Sequence, residues 1–557
     1  MFLRYFPRSF AGGSALAQLF VEAEKIAHAR ELAQSAARGV QAFIDRHTTV
    51  AIERTVLRLL GIGAAGTRGA PLANLIVDRL AEAKVLHKGA AYWLGRALKS
   101  APGKDPLHAI ERLVAHPEKL PALNAEEENE LRETMRADTR AAVEELRERI
   151  RTRQGLKASL QVGSSFAGAP WKYVIVATGN IYDDVEQARA AAQQGADVIA
   201  VIRSTAQSLL DYVPHGATTE GFGGTYATQE NFHIMREALD ETSRKLGRYI
   251  HLTNYSSGLC MPEIAYMAAF ERLDMLLNDA MYGILFRDIN MRRTFCDQYF
   301  SRRICGFAGI IINTGEDNYI TTADADEAAH TVIASQLINE TFAHLAGMTD
   351  DLIGFGHSFE IDPAREDTLL REFAMAMMVR ELFPRSPIKY MPPTKHKEGD
   401  IFFSHAYDVM ADLVAITTGQ GIQLLGMMTE AMHNPFLMDR FVALKSAAYV
   451  YRGARHLGDE ISFKPDGIIA RRQREVFEQA LSLLEEVARD GLMAAIGRAR
   501  FGDTARTETG GKGLAGVFER APDYFNPFLE ILESTECCGL RPSPGAGEAR
   551  SSARPAS

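Results

Sequence analysis

Apolar residues follow two rhythms along this chain, and the change from one to the other falls near residue 170. From Val21 to about Arg153 they recur at three- and four-residue spacing, in EAEKIAHARELAQSAARGVQAFIDRH, VAIERTVLRLLGI, PLANLIVDRLAEA and AEEENELRETMRADTRAAVEELRERIRTR. That spacing predicts amphipathic helices, the last and most charged of them a solvated surface element or packing arm. After Trp171 short β-rich apolar runs alternate with helical stretches such as DDVEQARAAAQQG and NFHIMREALDETSRKLG. Eight such runs predict strands at 173–180, 197–204, 249–256, 282–288, 309–316, 352–359, 388–394 and 413–419. Strands apolar on both faces, each followed by a helix and repeated eight times, favour an α/β architecture, a (β/α)8 TIM barrel of parallel strands. A doubly wound open sheet is the second architecture the pattern allows. Beyond Gly421 the chain reads as helices to about Gly497.

This reading divides the chain into a disordered N-terminal extension (1–20), a helical accessory region (21–165), the barrel (166–425), a C-terminal helical extension (426–535) and a disordered tail (536–557). The first twenty residues carry two arginines and no acid and faintly resemble a transit peptide, and a misassigned start or a frayed end explains them as well. The tail GLRPSPGAGEARSSARPAS has almost nothing to bury. At 557 residues and 46% apolar, the chain has ample material for a large core. A net charge of -9 argues against a nucleic-acid binder, and no apolar run reaches the roughly 18 residues a membrane helix needs. Five cysteines with no CxxC pair give neither a disulfide framework nor a zinc site, so a reducing cytoplasm is the expected compartment.

Polar residues collect at the C-terminal ends of the expected strands, which converge on one mouth in a barrel. The second run, DVIAVIRSTAQSLLDY, delivers Arg203 and then Ser204, Thr205, Gln207 and Ser208, where the backbone turns and its free N–H groups favour an anion. Arg203 alone fits a salt bridge to Asp183 or Asp184 equally well. The loop TEGFGGTYATQEN (219–231) is glycine-rich but matches no phosphate-binding spacing, and a flexible barrel loop explains it as well as a ligand does.

The segments FIDRHTTVAIERTVLRLLGI, VIRSTAQSLLDYVPHGATTEGFGGTYATQENFHIMR, HLTNYSSGLCMPEIA, NDAMYGILFRDINMRRTF, IIINTGEDNYITTADA, IGFGHSFEIDP and IKYMPPTKH closely resemble the large (α) subunit family of D-lysine 5,6-aminomutase, from about Val21 to about Glu533. The family depends on pyridoxal 5′-phosphate (PLP) and adenosylcobalamin. The resemblance implies that Arg203 and Ser208 contact the PLP phosphate, that Ser257 faces the polar edge of the ring, and that Tyr282 packs on the ring with a catalytic part. It further implies that Asp317 and Lys389 hold the head group of lysine, one anion and one cation for its ammonium and carboxylate, and that Glu430 belongs to the cofactor site.

By the same resemblance the reaction is a radical 1,2-shift of the terminal amine from C6 to C5 of D-lysine or L-β-lysine. The chain has no DxHxxG cobalamin motif. In this family a small β subunit supplies that motif and the Schiff-base lysine for PLP, so the resemblance implies an α2β2 hetero-oligomer inactive without its partner. D-ornithine 4,5-aminomutase chemistry, one methylene shorter, and a non-catalytic scaffold subunit are the other functions the sequence leaves open. One methylene is worth only about 1–3 kcal/mol of discrimination.

Overall fold

A computed structural model describes residues 19–63, 70–101, 106–160, 168–202, 206–315, 326–357 and 361–535. Among the described residues eleven strand segments make two sheets. Strands β1 (His47–Thr49) and β11 (Val517–Glu519) pair antiparallel and tie the two ends of the chain together. The other nine segments form a single parallel sheet: β2 (Trp171–Ile175), β3 (Val198–Ile202), β4 (His251–Tyr255), β5 (Met275–Leu277), β6 (Ile311–Asn313), β7 (Ile353–Gly354), β8 (Gly356–His357), β9 (Lys389–Tyr390) and β10 (Ile422–Leu424).

In this sheet each strand from β2 to β6 pairs with the next, β8 pairs with β9 and β9 with β10, and β10 returns to β2. Segments β7 and β8 are one stave interrupted at Phe355: β7 pairs with β6 and β8 with β9, so eight staves go all the way round. The interruption has a steric cause. A Cβ at Gly356 would lie 2.0 Å from the carbonyl oxygen of Thr314, so the backbones here approach more closely than any side chain permits.

The expected TIM barrel is therefore present, with two staves elsewhere than expected. The fourth expected strand, 282–288, is a π-helical turn, Tyr282–Phe286, and the strand is the shorter run Met275–Leu277. The eighth, 413–419, is the end of the helix Ile401–Thr417, and the strand is Ile422–Leu424, within the stretch read as helical. In both cases a longer run rich in aromatic or β-branched residues within a helical element outscores a three-residue strand, an ambiguity that periodicity alone does not resolve. The remaining staves lie within or beside their expected ranges and are shorter.

Local signals set the helices. Asn124 caps the 35-residue helix Ala125–Ser159 by accepting from Glu126 and Glu127 N–H, while Glu127 bonds back to Asn124 N–H. Its buried stripe, Leu131, Met135, Thr139, Val143, Leu146, Ile150 and Arg153, faces the protein. This arm straps the floor of the barrel: Arg153 donates to the carbonyls of Leu273 and Ala308, just before β5 and β6, and Lys157 Nζ lies 2.5 Å from Asp274. Above them Trp171 and His251 stack with ring centroids 4.2 Å apart. The helix Ala23–Ile44 buries Ala29, Ala33, Ala36, Ala37, Val40 and Ile44. It packs against the helices Ala329–Leu345 and Ile468–Asp490, so both ends of the chain wrap one barrel. Of the expected tails, only Leu19 and Phe20 fall within the described residues.

Candidate active site at the barrel mouth

The parity of the staves decides what faces the interior. Tyr390 Oη donates to Glu372 on the outer helix Thr368–Leu382 at 2.9 Å, so its neighbour Lys389 faces inward. Lys389 is 2% exposed. Its Nζ stands 5.8 Å from the ring centroid of Tyr173, two staves away, and among the described residues no carboxylate pairs with it. The register carries the same inner face to Thr253, Met275 and, at the end of β6, Asn313. Asn313 is buried, and its Oδ1 has no hydrogen-bond partner. A buried ammonium and a buried amide oxygen left open on one interior wall are a binding wall for a polar ligand.

The loops after β3 and β4 meet at the mouth. Ser208 lies in the short turn Gln207–Leu209, its carbonyl accepts from Leu259 N–H at 3.0 Å, and a Cβ at Gly258 would lie 2.6 Å from its Cα. Ser257, the residue before that glycine, is buried; its Oγ accepts from Asp279 N–H at 3.0 Å and is 3.4 Å from the carbonyl of Leu277. Ser208, Ser257 and the loop after β5 therefore form one continuous surface. Tyr282 continues it, as the first residue of the π-turn rather than of a strand, half-buried. Its Oη accepts from Arg287 Nε at 3.0 Å, and its ring stacks on Phe286 with centroids 5.3 Å apart. Such π-turns recur at functional sites because they re-aim side chains out of a regular ladder.

Glu430, in the turn after β10, is bonded to Lys397 Nζ at 3.1 Å. Lys397, a buried cation, also lies 2.7 Å from Asp408 and donates to the carbonyl of Met427 at 3.0 Å. Burial pushes the Asp408 carboxyl up to about 7 despite Lys397, and burial together with Asp408 pushes Asp412 up as well. The glycine-rich loop is tied down: Thr225 Oγ donates to Asp184 and accepts from Gly179 N–H at 2.9 Å.

Of the seven residues singled out from sequence, the structure brings Ser208, Ser257 and Tyr282 onto one stretch of rim, sets Lys389 on the inner face of β9, and puts Glu430 in a separate ion-paired cluster. Arg203 and Asp317 lie outside the described residues. Sequence reasoning missed Lys397 and Asn313 as individuals. Asn313 carried a weak signal, a polar residue ending an apolar run; Lys397 carried none, because its burial depends on Asp408 and Glu430 folding over it.

An eight-stave parallel barrel of this kind defines the TIM-barrel class, whose enzymes carry their sites at the C-terminal mouth. The model of the D-lysine 5,6-aminomutase TIM-barrel domain of the alpha subunit matches residues 19–531. The chain is 51% identical to the lysine 5,6-aminomutase alpha subunit of Fusobacterium nucleatum subsp. nucleatum over 91% of its own length and 97% of that protein's. It is 50% identical to the same subunit from Acetoanaerobium sticklandii over 93% of itself and 99% of that chain. It is also 29% identical to the D-ornithine 4,5-aminomutase subunit beta of A. sticklandii, over 63% of this chain and 49% of that one. The chain belongs to the D-lysine 5,6-aminomutase alpha-subunit family, a family of isomerases.

Proposed function

We propose that this chain is the large subunit of an enzyme that moves the terminal amine of D-lysine, or of L-β-lysine, from C6 to C5, with PLP seated at the barrel mouth and adenosylcobalamin bound mainly by a smaller partner subunit. The observation that carries the reading is that the loops bearing Ser208 and Ser257 meet on one rim of a barrel whose interior holds the buried Lys389, beside which no carboxylate lies among the described residues. When bound, adenosylcobalamin supplies hydrogen abstraction and PLP the unsaturation through which a nitrogen can migrate, which a bare amine lacks.

The chain's own residues bind, orient and enclose. Ser208, with Arg203, takes the phosphate. Ser257 takes the polar edge of the ring, with its hydroxyl already oriented by Asp279 N–H. Tyr282 lies against the ring, held by Arg287. Lys389 receives the substrate carboxylate and Asp317 its α-ammonium; a buried cation with no described acid beside it is matched to an incoming anion. Glu430 fixes the rim through Lys397. The Trp171–His251 stack and the strap Ala125–Ser159 close the floor against water, as a reactive carbon centre demands.

The mouth itself is rimmed with exposed apolar side chains, among them Phe222 (78% exposed), Phe286, Phe402 (83%), Phe436 and Met438. They stand in the loops after β3, β5, β9 and β10 or at the starts of the following helices. An exposed apolar rim of this kind supports a cover supplied by the partner subunit, within an α2β2 assembly. No helix among the described residues is long and apolar enough to cross a membrane.

The test is to produce the chain together with its small partner subunit and supply PLP, adenosylcobalamin and D-lysine without oxygen. Formation of 2,5-diaminohexanoate is expected. Turnover of D-ornithine in place of D-lysine would overturn the substrate, and a complex that takes up no PLP would reduce the chain to a scaffold.

A further inference from the structure

Three residues beyond Ser208 the chain sets a carboxylate between two guanidinium groups from other elements. Arg54 Nη2, on the helix Val50–Leu59, lies 2.6 Å from Asp211 Oδ1. Arg293 Nη2, on the helix Met291–Ala308, lies 2.9 Å from the same oxygen, and its Nη1 lies 3.3 Å from Oδ2. Both arginines are almost wholly buried, while the Asp211 side chain stays 39% exposed. Burial raises the Asp211 carboxyl, but Arg293 and Arg54 outweigh it and hold it down to about 2, so it is an anion throughout the neutral range.

The arginines are fixed in turn. Arg54 Nε pairs with Glu263 at 2.8 Å, a carboxylate shared with Arg58, and Arg293 Nε pairs with Asp297 at 2.6 Å. Arg293 Nη2 also donates to the carbonyl of Leu259 at 2.8 Å, and Leu259 N–H is the group that donates to Ser208. One guanidinium therefore holds both the loop after β3 and the loop after β4. Asn74 Nδ2 adds a bond to the Asp211 carbonyl at 2.9 Å, and Cys260 Sγ one to the carbonyl of Leu210 at 3.2 Å.

We propose that Asp211 is a positioning residue of the cofactor site: clasped between Arg54 and Arg293, it sets the turn carrying Ser208 against Gly258, so that the N-terminal helix Val50–Leu59 fixes the geometry of the phosphate contact. This rests on the reading that Ser208 serves the PLP phosphate. Asp211 acts through the backbone of its loop, and a hydroxyl site for an anion requires that backbone to be held within about 0.5 Å.

Positioning and simple electrostatics predict opposite signs here. An anion near a phosphate site repels the phosphate, so if charge alone mattered, Asp211→Asn would tighten PLP binding. If positioning matters, it weakens PLP binding by about 10- to 100-fold, the loss of one or two charge-assisted bonds.

The experiment measures PLP dissociation by equilibrium dialysis on the complex of this chain with its partner subunit, for wild type, Asp211→Asn, Asp211→Glu and Ser208→Ala. The expected result is weak binding by Asp211→Asn, recovery of most of the affinity in Asp211→Glu, and an unchanged KM for D-lysine at saturating PLP. Equal or tighter binding by Asp211→Asn beside weakened binding by Ser208→Ala overturns the proposal. Undiminished binding by Ser208→Ala shows instead that the premise about the phosphate is wrong, and the proposal falls with it. Should Asp211→Asn fail to fold, Arg54→Lys keeps the charge and loses the fork. A loss of about tenfold in PLP affinity from that variant supports the clasp, and wild-type affinity overturns it.

Discussion

An ammonium group buried without a carboxylate beside it is destabilising by several kcal/mol unless something else meets it, and among the described residues Lys389 is placed in that position by the inward parity of β9. Its value lies in what arrives. Changing Lys389 to Ala should raise the KM for D-lysine at least about tenfold, as expected for a lost charge-assisted bond, and leave PLP retention unchanged. Changing Arg203 to Ala should do the reverse. Steady-state kinetics at saturating PLP, paired with PLP retention after gel filtration, separates the two; equal effects on both quantities would count against the division of labour.

Asp408 makes a second residue-scale prediction, this time about pH. Its carboxyl is pushed up to about 7 in the folded chain by burial, against an ordinary value near 4. The folded state therefore holds a proton that the unfolded state has released between about pH 4 and 7, and its stability contribution fades as the pH rises through that window. Melting temperatures should fall for the wild type between pH 5 and 8, and Asp408→Asn should flatten part of that fall. Parallel curves for the two proteins would contradict the assignment.

At the scale of elements, the tight spot is the broken stave β7–β8. Gly356→Ala would force a methyl against the Thr314 carbonyl and should lower stability by about 1–3 kcal/mol, read from denaturant midpoints, with the site at the neighbouring β9 loosened as well. A midpoint within error of the wild type would show that the barrel seam can yield. Much of the barrel was legible in sequence because strands buried on both faces, such as the run Val198, Ile199, Ala200 and Val201, give uninterrupted apolar stretches bounded by helical ones. Met275–Leu277 and Ile422–Leu424 were not, since three residues carry no period, and the flanking runs YGILFRD and LVAITTG are richer in the residues strands favour. The same limit applied to the site. Ser208, Ser257 and Lys389 could be picked out through long family-like motifs, whereas the clasp on Asp211 joins residues 157 positions apart and left no local trace.

Over the whole molecule, the two ends of the chain are structural parts of the barrel. The β1–β11 pair ties the N-terminal segment to the C-terminal one, the Arg54–Glu263–Arg58 ion network joins an N-terminal helix to the barrel helix Met261–Phe270, and the strap reaches the chain just before β5 and β6. The open side is the mouth, with its apolar rim and, on its inner wall, a buried cation with no carboxylate beside it among the described residues. On the proposed reading that mouth grips a vitamin B6 coenzyme whose tethering amine comes from the partner subunit. The most direct measurement is to load the complex with PLP, fix the bound coenzyme by borohydride reduction, and map the labelled lysine by mass spectrometry. The account predicts the label on a lysine of the partner subunit and none on this chain; a label on Lys389 would contradict it.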